Sequence, residues 1–210
     1  MIDQQEFDLI LERCKGLPPA KGMYLEDDYV TNLFLTVLDY QLHGRIVEKA
    51  IAFFQENRRS EIRSAADLKR LLAGYPDDEV GNTRLAQYLW GYKYWNRAHQ
   101  LRDLFTYFES IGVTSQEALK EWAKSSCFEQ GFKGRVRGLG FVVYQWLVMR
   151  QGVETIKPDV HVRRFVESII HRSPTEDELV EALEKVAKQL GLKAYELDWR
   201  IWEYQRSVGS

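Results

Sequence analysis

Residues 137–164 read RGLGFVVYQWLVMRQGVETIKPDVHVRR and contain the most informative pattern of the chain. Gly138-Leu139-Gly140 precedes an apolar run that Gly152 stops, which predicts a helix over about 141–149. Residues 153–158 are expected to be extended, because the residue before a proline is pushed out of the helical region. Asp159 is then expected to cap a helix running to about residue 171.

Outside this stretch the apolar residues recur at three-to-four spacing, which predicts helices almost throughout. Strand signals are essentially absent, so the predicted fold class is all-α. The expected helices outside 137–171 cover 5–14, a span from Asp27 or Asp28 to near Gly44, 45–57, 64–72, 82–89, 94–111, 114–126, 173–190 and 194–206. Expected N-terminal caps are Ser64, Asn82 or Thr83, Thr114 in a capping box with Glu117, and Ser173 before Pro174.

The composition is that of a soluble globular protein, with 45% hydrophobic and 29% charged residues among 210. No apolar run reaches the ~18 residues of a membrane span, and the polar start is unlike a signal peptide. Cys14 and Cys127 lie far apart and form no metal-ligand spacing, so no metal site is predicted. A reducing cytosol, and hence a cytoplasmic location, is the simplest expectation.

The net charge of −2 is not typical of a nucleic-acid-binding protein, but phosphate contacts are local. Residues 131–137 hold Lys133, Arg135 and Arg137 with no acid, directly before the Gly-Leu-Gly turn. Glycines let another surface approach the backbone, and the N-terminus of the following helix favours an anion. A DNA phosphate would suit such a site, although a Gly-x-Gly turn alone is more often a plain turn.

The order of these motifs resembles the helix-hairpin-helix superfamily of base-excision DNA glycosylases, which includes endonuclease III, the adenine glycosylases and the 8-oxoguanine glycosylases. Arg137–Phe141 and Lys157–Arg164 are similar to that superfamily's segment from hairpin to catalytic aspartate. Upstream, Val37–Gln41 is similar to its helix end, and Leu89–Tyr92 followed by Arg97-Ala98 also fits. The resemblance covers about residues 27–165.

The resemblance implies a monomer of two helical domains with a DNA groove between them. Residues 26–154 would form a six-helix domain that contains the hairpin, and residues 1–25 and 155–210 would form the second. Asp159 would be the catalytic carboxylate, and Gln41 would fill the space left by an extruded base. Double-stranded DNA would be contacted by Gly138, Leu139, Gly140, Arg137, Arg135, Lys133 and His161. A surface or packing role for His161 is equally open.

Two departures from the superfamily limit the expected chemistry. Val142 stands where bifunctional members carry a Schiff-base lysine, so hydrolysis with weak or absent lyase activity is expected. Lys157 is a secondary catalytic candidate. No cysteine follows Cys127, so no iron–sulfur cluster is expected. Hairpins of this superfamily can hold a monovalent cation through backbone carbonyls, which the sequence leaves open.

Three hypotheses therefore stand. The first is a base-excision repair glycosylase that hydrolyses the N-glycosidic bond of a damaged, flipped-out base. The second is a non-catalytic helix-hairpin-helix DNA-binding protein in which Asp159 is only a cap. The third is a helical protein–protein scaffold without a role on DNA. Alkylated purines, oxidised purines and deaminated bases all remain open as substrates.

Overall fold

The computed structural model describes residues 1–22 and 24–208, and in that part of the chain every regular element is a helix. The all-α prediction is therefore confirmed. The helices are α1 (Gln4–Lys15), α2 (Tyr29–Leu38), α3 (Gly44–Asn57), α4 (Ala65–Ala73), α5 (Glu79–Trp90), α6 (Trp95–Ser110), α7 (Gln116–Ser125), α8 (Phe128–Gly131), α9 (Phe141–Arg150), α10 (Val160–Ile170), α11 (Glu176–Gln189) and α12 (Ala194–Val208).

The chain divides into two compact units. Unit 1 combines Met1–Leu25 with Val148–Ser210, and unit 2 spans Glu26–Leu147. Residues 148–154 group with the C-terminal helices. The predicted domain bounds, 26–154 for one domain and 1–25 with 155–210 for the other, stay a prediction.

Unit 2 is built around α2, whose residues are all buried. Helices α3, α4 and α6 pack on α2, and α5 packs on both α3 and α6. The Phe34 ring lies edge-on to Phe54 and Trp90, with centroids 4.7 and 5.5 Å apart. Such aromatic pairs add about 0.5–1.5 kcal/mol each beyond the area they bury. A helix that is mostly apolar and buried on every side thus becomes the centre of the core of unit 2.

Unit 1 joins the two ends of the chain. Helix α10 packs against α1 and α12, and α11 packs against the same two helices. Arg172, just after α10, donates to both carboxylate oxygens of Glu6 on α1, at 2.6 and 2.8 Å. Ile10 and Cys14 of α1 are almost fully buried. The N-terminal segment is therefore part of the core of unit 1.

Three predicted helix starts were wrong, each by a few residues. Helix α5 is capped by Asp78, whose carboxylate accepts from the amide of Gly81 at 2.6 Å, and not by Asn82 or Thr83. Ser115 caps α7 instead of Thr114, and Thr175 caps α11 instead of Ser173. In each case more than one nearby side chain can cap a helix, and the sequence pattern alone does not choose between them.

Two further differences lie near the predicted DNA contacts. Helix α2 ends at Leu38 instead of near Gly44, because Gln41 adopts a left-handed conformation that a helix cannot accommodate (φ 58°). The four-residue helix α8 was not predicted, because one turn is too short to show a helical period. Gln41 consequently lies in a loop between α2 and α3.

Candidate functional site

Asp159 lies in extended backbone at the start of α10 and caps it, as predicted. Its Oδ1 accepts from the amides of His161 and Val162, at 2.8 and 3.1 Å. Its Oδ2 accepts no hydrogen bond from the described residues, and the side chain is 17% exposed. One carboxylate oxygen is thus fixed by the helix, and the other is free of hydrogen bonds from the described residues on a partly exposed side chain.

Lys157 lies beside Asp159 on the extended segment that leads into α10. Its Nζ is 3.9 Å from Asp159 Oδ2, and its side chain is 18% exposed. Its backbone amide donates to Asp198 Oδ1 at 2.8 Å. The structure therefore brings the catalytic candidate, the secondary candidate and a third titratable residue into one cluster.

Asp198, on α12, is the member of this cluster that the sequence analysis missed. Only 5% of it is exposed. Burial, reinforced by the nearby charge of Asp159, raises the pKa of Asp198 to about 8, against the opposing effect of Lys157. A signal was present, because Asp198 shares the buried face of α12 with Ala194 and Ile201. An acid on an apolar helix face indicates a specific polar role.

His161 is half-buried in the first turn of α10. Its ring lies edge-on to the indole of Trp202, with centroids 6.3 Å apart. This contact supports the packing role that the sequence left open. A phosphate contact by His161 stays a prediction.

The predicted hairpin lies between α8 and α9. Its apolar residues Phe132, Val136 and Leu139 are buried, whereas Gly138 and Gly140 are exposed. Gly138 has a φ of 84°, which side chains rarely adopt. A Cβ at Gly140 would have no heavy atom within 4 Å. The buried apolar side chains thus attach the turn to the protein, while its two glycines lie at the surface.

The three predicted hairpin cations are exposed but differ in their partners. Lys133 Nζ pairs with Glu129 at 2.9 Å, and Arg135 donates to the carbonyl of Gln130 at 3.3 Å. The guanidinium of Arg137 has no partner among the described residues, and it directly precedes Gly138. Arg137 is therefore the cation most available to an anion at this turn.

The resemblance allows a monovalent cation at the hairpin, which backbone carbonyls would hold. Those of Gly138 and Leu139 accept no hydrogen bond from the described residues, so such a cation would use them. Within residues 1–22 and 24–208, no group of His, Cys, Asp or Glu side chains is arranged to hold a metal ion. Both the expected lack of an iron–sulfur cluster and the hairpin cation stay predictions.

Gln41 is exposed in the loop between α2 and α3. Its positive φ of 58° is unusual outside glycine and costs on the order of 1 kcal/mol. The carbonyl of the preceding residue, Tyr40, accepts from the guanidinium of Arg97 on α6. The exposed side chain of Gln41 therefore lies on a loop whose backbone is held by the hydrogen bond from Arg97.

The predicted site residues form two groups, one in each unit. Unit 1 holds Lys157, Asp159 and His161 on one segment, with Asp198 beneath. In unit 2 the hairpin and the Gln41 loop both contact α6, through Gln100 and Arg97. The sequence analysis assigned no role to Gln100 or to the Arg97 side chain. Arg97 did carry a signal, since it shares a helix face with the buried Leu101 and Leu104.

Comparison with known proteins identifies the family. A family model described as a domain of unknown function (DUF8548) matches residues 40–206, so the chain belongs to that family. No curated protein and no solved structure matches the chain. No helix among the described residues is long and apolar enough to cross a membrane.

Proposed function

We propose that this protein is a monofunctional DNA glycosylase of base-excision repair, which hydrolyses the N-glycosidic bond of a damaged base flipped out of double-stranded DNA. The hairpin grips the DNA backbone, Gln41 fills the gap in the base stack, and Asp159 serves the chemistry. The proposal extends the sequence resemblance, and the local geometry of both residue groups supports it.

In the proposed reaction the bond between the sugar C1′ and the base nitrogen breaks, and the base leaves with the bonding electrons. Positive charge develops on the sugar, much as in glycoside hydrolysis. The carboxylate of Asp159 stabilises that charge and takes a proton from the water that attacks C1′. That proton then passes to the departed base or to solvent, which restores the carboxylate. The products are the released base and an abasic site. Without a lysine at Val142, no Schiff base forms there, and the strand stays intact.

The observation that carries the proposal is that the two carboxylate oxygens of Asp159 differ in their hydrogen bonds. Two amides hold Oδ1, which fixes the orientation of the carboxylate, while Oδ2 accepts no hydrogen bond from the described residues and lies 3.9 Å from Lys157 Nζ, on a side chain that is 17% exposed. A carboxylate that must act on a sugar needs a fixed direction and an accessible oxygen. The two amide hydrogen bonds supply the fixed direction, and an Oδ2 without hydrogen bonds on a side chain that is 17% exposed fits the second requirement.

Contact with DNA is supported by the hairpin. Within residues 137–141 the structure brings together the exposed Gly138 and Gly140, the unpartnered guanidinium of Arg137 and the N-terminus of α9. Phosphate oxygens are the ligand that backbone amides and a guanidinium bind together. These groups contact phosphates and not base edges, so binding here would be independent of sequence.

The proposal is tested with duplex oligonucleotides that each carry one alkylated, oxidised or deaminated base. After incubation with the protein, half of each sample is treated with hot alkali, which breaks strands at abasic sites. We expect cleavage only after alkali, on at least one duplex. Cleavage without alkali would instead identify a lyase and direct attention to Lys157.

A second candidate is a non-catalytic DNA-binding protein. It is favoured by the same hydrogen bonds, because acceptance of two amides by Oδ1 is also what a purely structural cap provides. It predicts binding to an abasic-site analogue that weakens steeply with salt, and no base release from any duplex. A scaffold without a role on DNA would show neither.

A further inference from the structure

Arg97 is a buried cation without a carboxylate. It is 6% exposed, and none of the described residues places an acid within ion-pair distance. Its guanidinium donates to the carbonyl of Tyr40 and to Gln100 Oε1, the latter at 3.0 Å, and lies 5.1 Å from the centroid of the Tyr40 ring. Burial lowers the pKa of Arg97. Burial of a guanidinium costs free energy, so we take the directed hydrogen bonds of Arg97 as the reason for a cation at this position.

Gln100, one turn further along α6, continues the same network. Its Nε2 donates to the carbonyl of Arg137 at 3.1 Å, and its Oε1 accepts from Arg97. A Cβ at Gly138 would lie 2.8 Å from that Nε2. Gln100 can therefore reach the carbonyl of Arg137 because Gly138 has no side chain in its way.

These contacts connect the two elements that the proposed function assigns to DNA. The carbonyl before Gln41 and the carbonyl before Gly138 are joined by three hydrogen bonds through two side chains of α6. We propose that Arg97 and Gln100 form a brace, which fixes the Gln41 loop relative to the hairpin so that both contact DNA as one surface. Its role in binding rests on the proposed function; the mechanical coupling does not.

The brace predicts that Gln41 and the hairpin are energetically coupled. If the hairpin determines the position of the DNA, Gln41 can enter the base stack only while the brace keeps the Gln41 loop at a fixed distance from the hairpin. Contacting residues in one network commonly show such non-additivity, whereas independent stabilising contacts add. Coupling, and not a loss of stability, therefore distinguishes a positioning role from a structural one.

The test uses Gln100→Met, which keeps the side-chain length but loses the hydrogen bonds, and the control is Gln87→Met at an exposed position of α5. Amide hydrogen exchange of the protein without DNA is followed over residues 39–43 and 137–140. We expect Gln100→Met to speed exchange in both segments by about tenfold, and Gln87→Met in neither. Faster exchange confined to the hairpin would overturn the brace.

Binding to a duplex with an abasic-site analogue is measured in parallel for Gln41→Ala, Gln100→Met and the double variant. We expect Gln41→Ala to weaken binding about tenfold in the wild-type background and less than about twofold beside Gln100→Met. Equal losses in both backgrounds would contradict the brace. If the wild type binds no DNA, the proposed function fails, and hydrogen exchange alone decides the brace.

Discussion

Asp159 caps α10, and the proposed function gives the same carboxylate a second role in catalysis. Its Oδ1 accepts hydrogen bonds from two amides in the first turn of α10, and its Oδ2 accepts none from the described residues. The extended segment before it is fixed by the hydrogen bond from the Lys157 amide to Asp198. The residue that would do chemistry is therefore held by its own helix on one side and by α12 on the other.

Asp198 makes the stability of the protein depend on pH. Its pKa is raised from 3.8 to about 8, chiefly by burial, so between these values the native state holds a proton that the unfolded chain has released. Raising the pH through this window then lowers the free energy of unfolding, by up to about 1 kcal/mol per pH unit. Asp198→Asn keeps an acceptor for the Lys157 amide and loses this dependence.

Urea unfolding of wild type and Asp198→Asn between pH 5 and 8 measures the difference directly, since other groups cancel. We expect the variant to gain stability relative to the wild type as the pH rises. Asp177→Asn, an exposed acid on α11, is the control and should follow the wild type. Parallel curves for wild type and Asp198→Asn would show that Asp198 is ionised in the native state.

At the scale of elements, the residues that attach the hairpin to unit 2 differ from those that lie at its surface. Phe132, Val136 and Leu139 hold it to unit 2, and its glycines face outward. The two glycines differ in what they require. Gly138 needs its left-handed backbone and its closeness to Gln100, whereas a Cβ at Gly140 would meet no heavy atom of the described residues within 4 Å.

Gly140→Ala therefore isolates the contact with DNA. The added methyl meets no heavy atom within 4 Å, so the free energy of unfolding should change by less than about 0.5 kcal/mol. The same methyl would separate the backbone from a phosphate, and binding to an abasic-site duplex should weaken about tenfold. Gly22→Ala, equally open, is the matched control. Unchanged binding by Gly140→Ala would argue against the hairpin as the DNA contact.

At the scale of the whole molecule, unit 1 depends on both ends of the chain. Ile10 on α1 is fully buried, and Leu9 beside it is 49% exposed. Ile10→Ala should lower the free energy of unfolding by about 2–5 kcal/mol, and Leu9→Ala by less than about 0.5. Thermal or urea unfolding checks this pair. Equal effects would mean that α1 is not part of the core.

The helical fold could be predicted from periodicity and caps because both are local properties. Asp159 was recognised as the cap of α10 from its place after Lys157-Pro158. Helix α8 is too short for a periodic signal, and the choice between adjacent caps such as Thr114 and Ser115 depends on backbone geometry.

The polar network was harder to predict, because it depends on which helices pack together. Arg97 and Asp198 each occupy an apolar helix face, which marks them as unusual but does not name their partners. The contact of Gln100 with Arg137 joins residues 37 positions apart and leaves no local pattern. Function stays a prediction at this scale, since it requires both groups of residues to act on one substrate.

The central claim is that Asp159 is catalytic, and base release by Asp159→Asn tests it most directly. Asparagine caps a helix about as well as aspartate, so the fold should be kept, but it carries no negative charge. Asp78→Asn, the same change at the cap of α5, is the control. On a duplex that the wild type cleaves after alkali, we expect Asp159→Asn to be slower by at least about a hundredfold and to bind the abasic-site analogue normally. Base release at the wild-type rate would contradict the account.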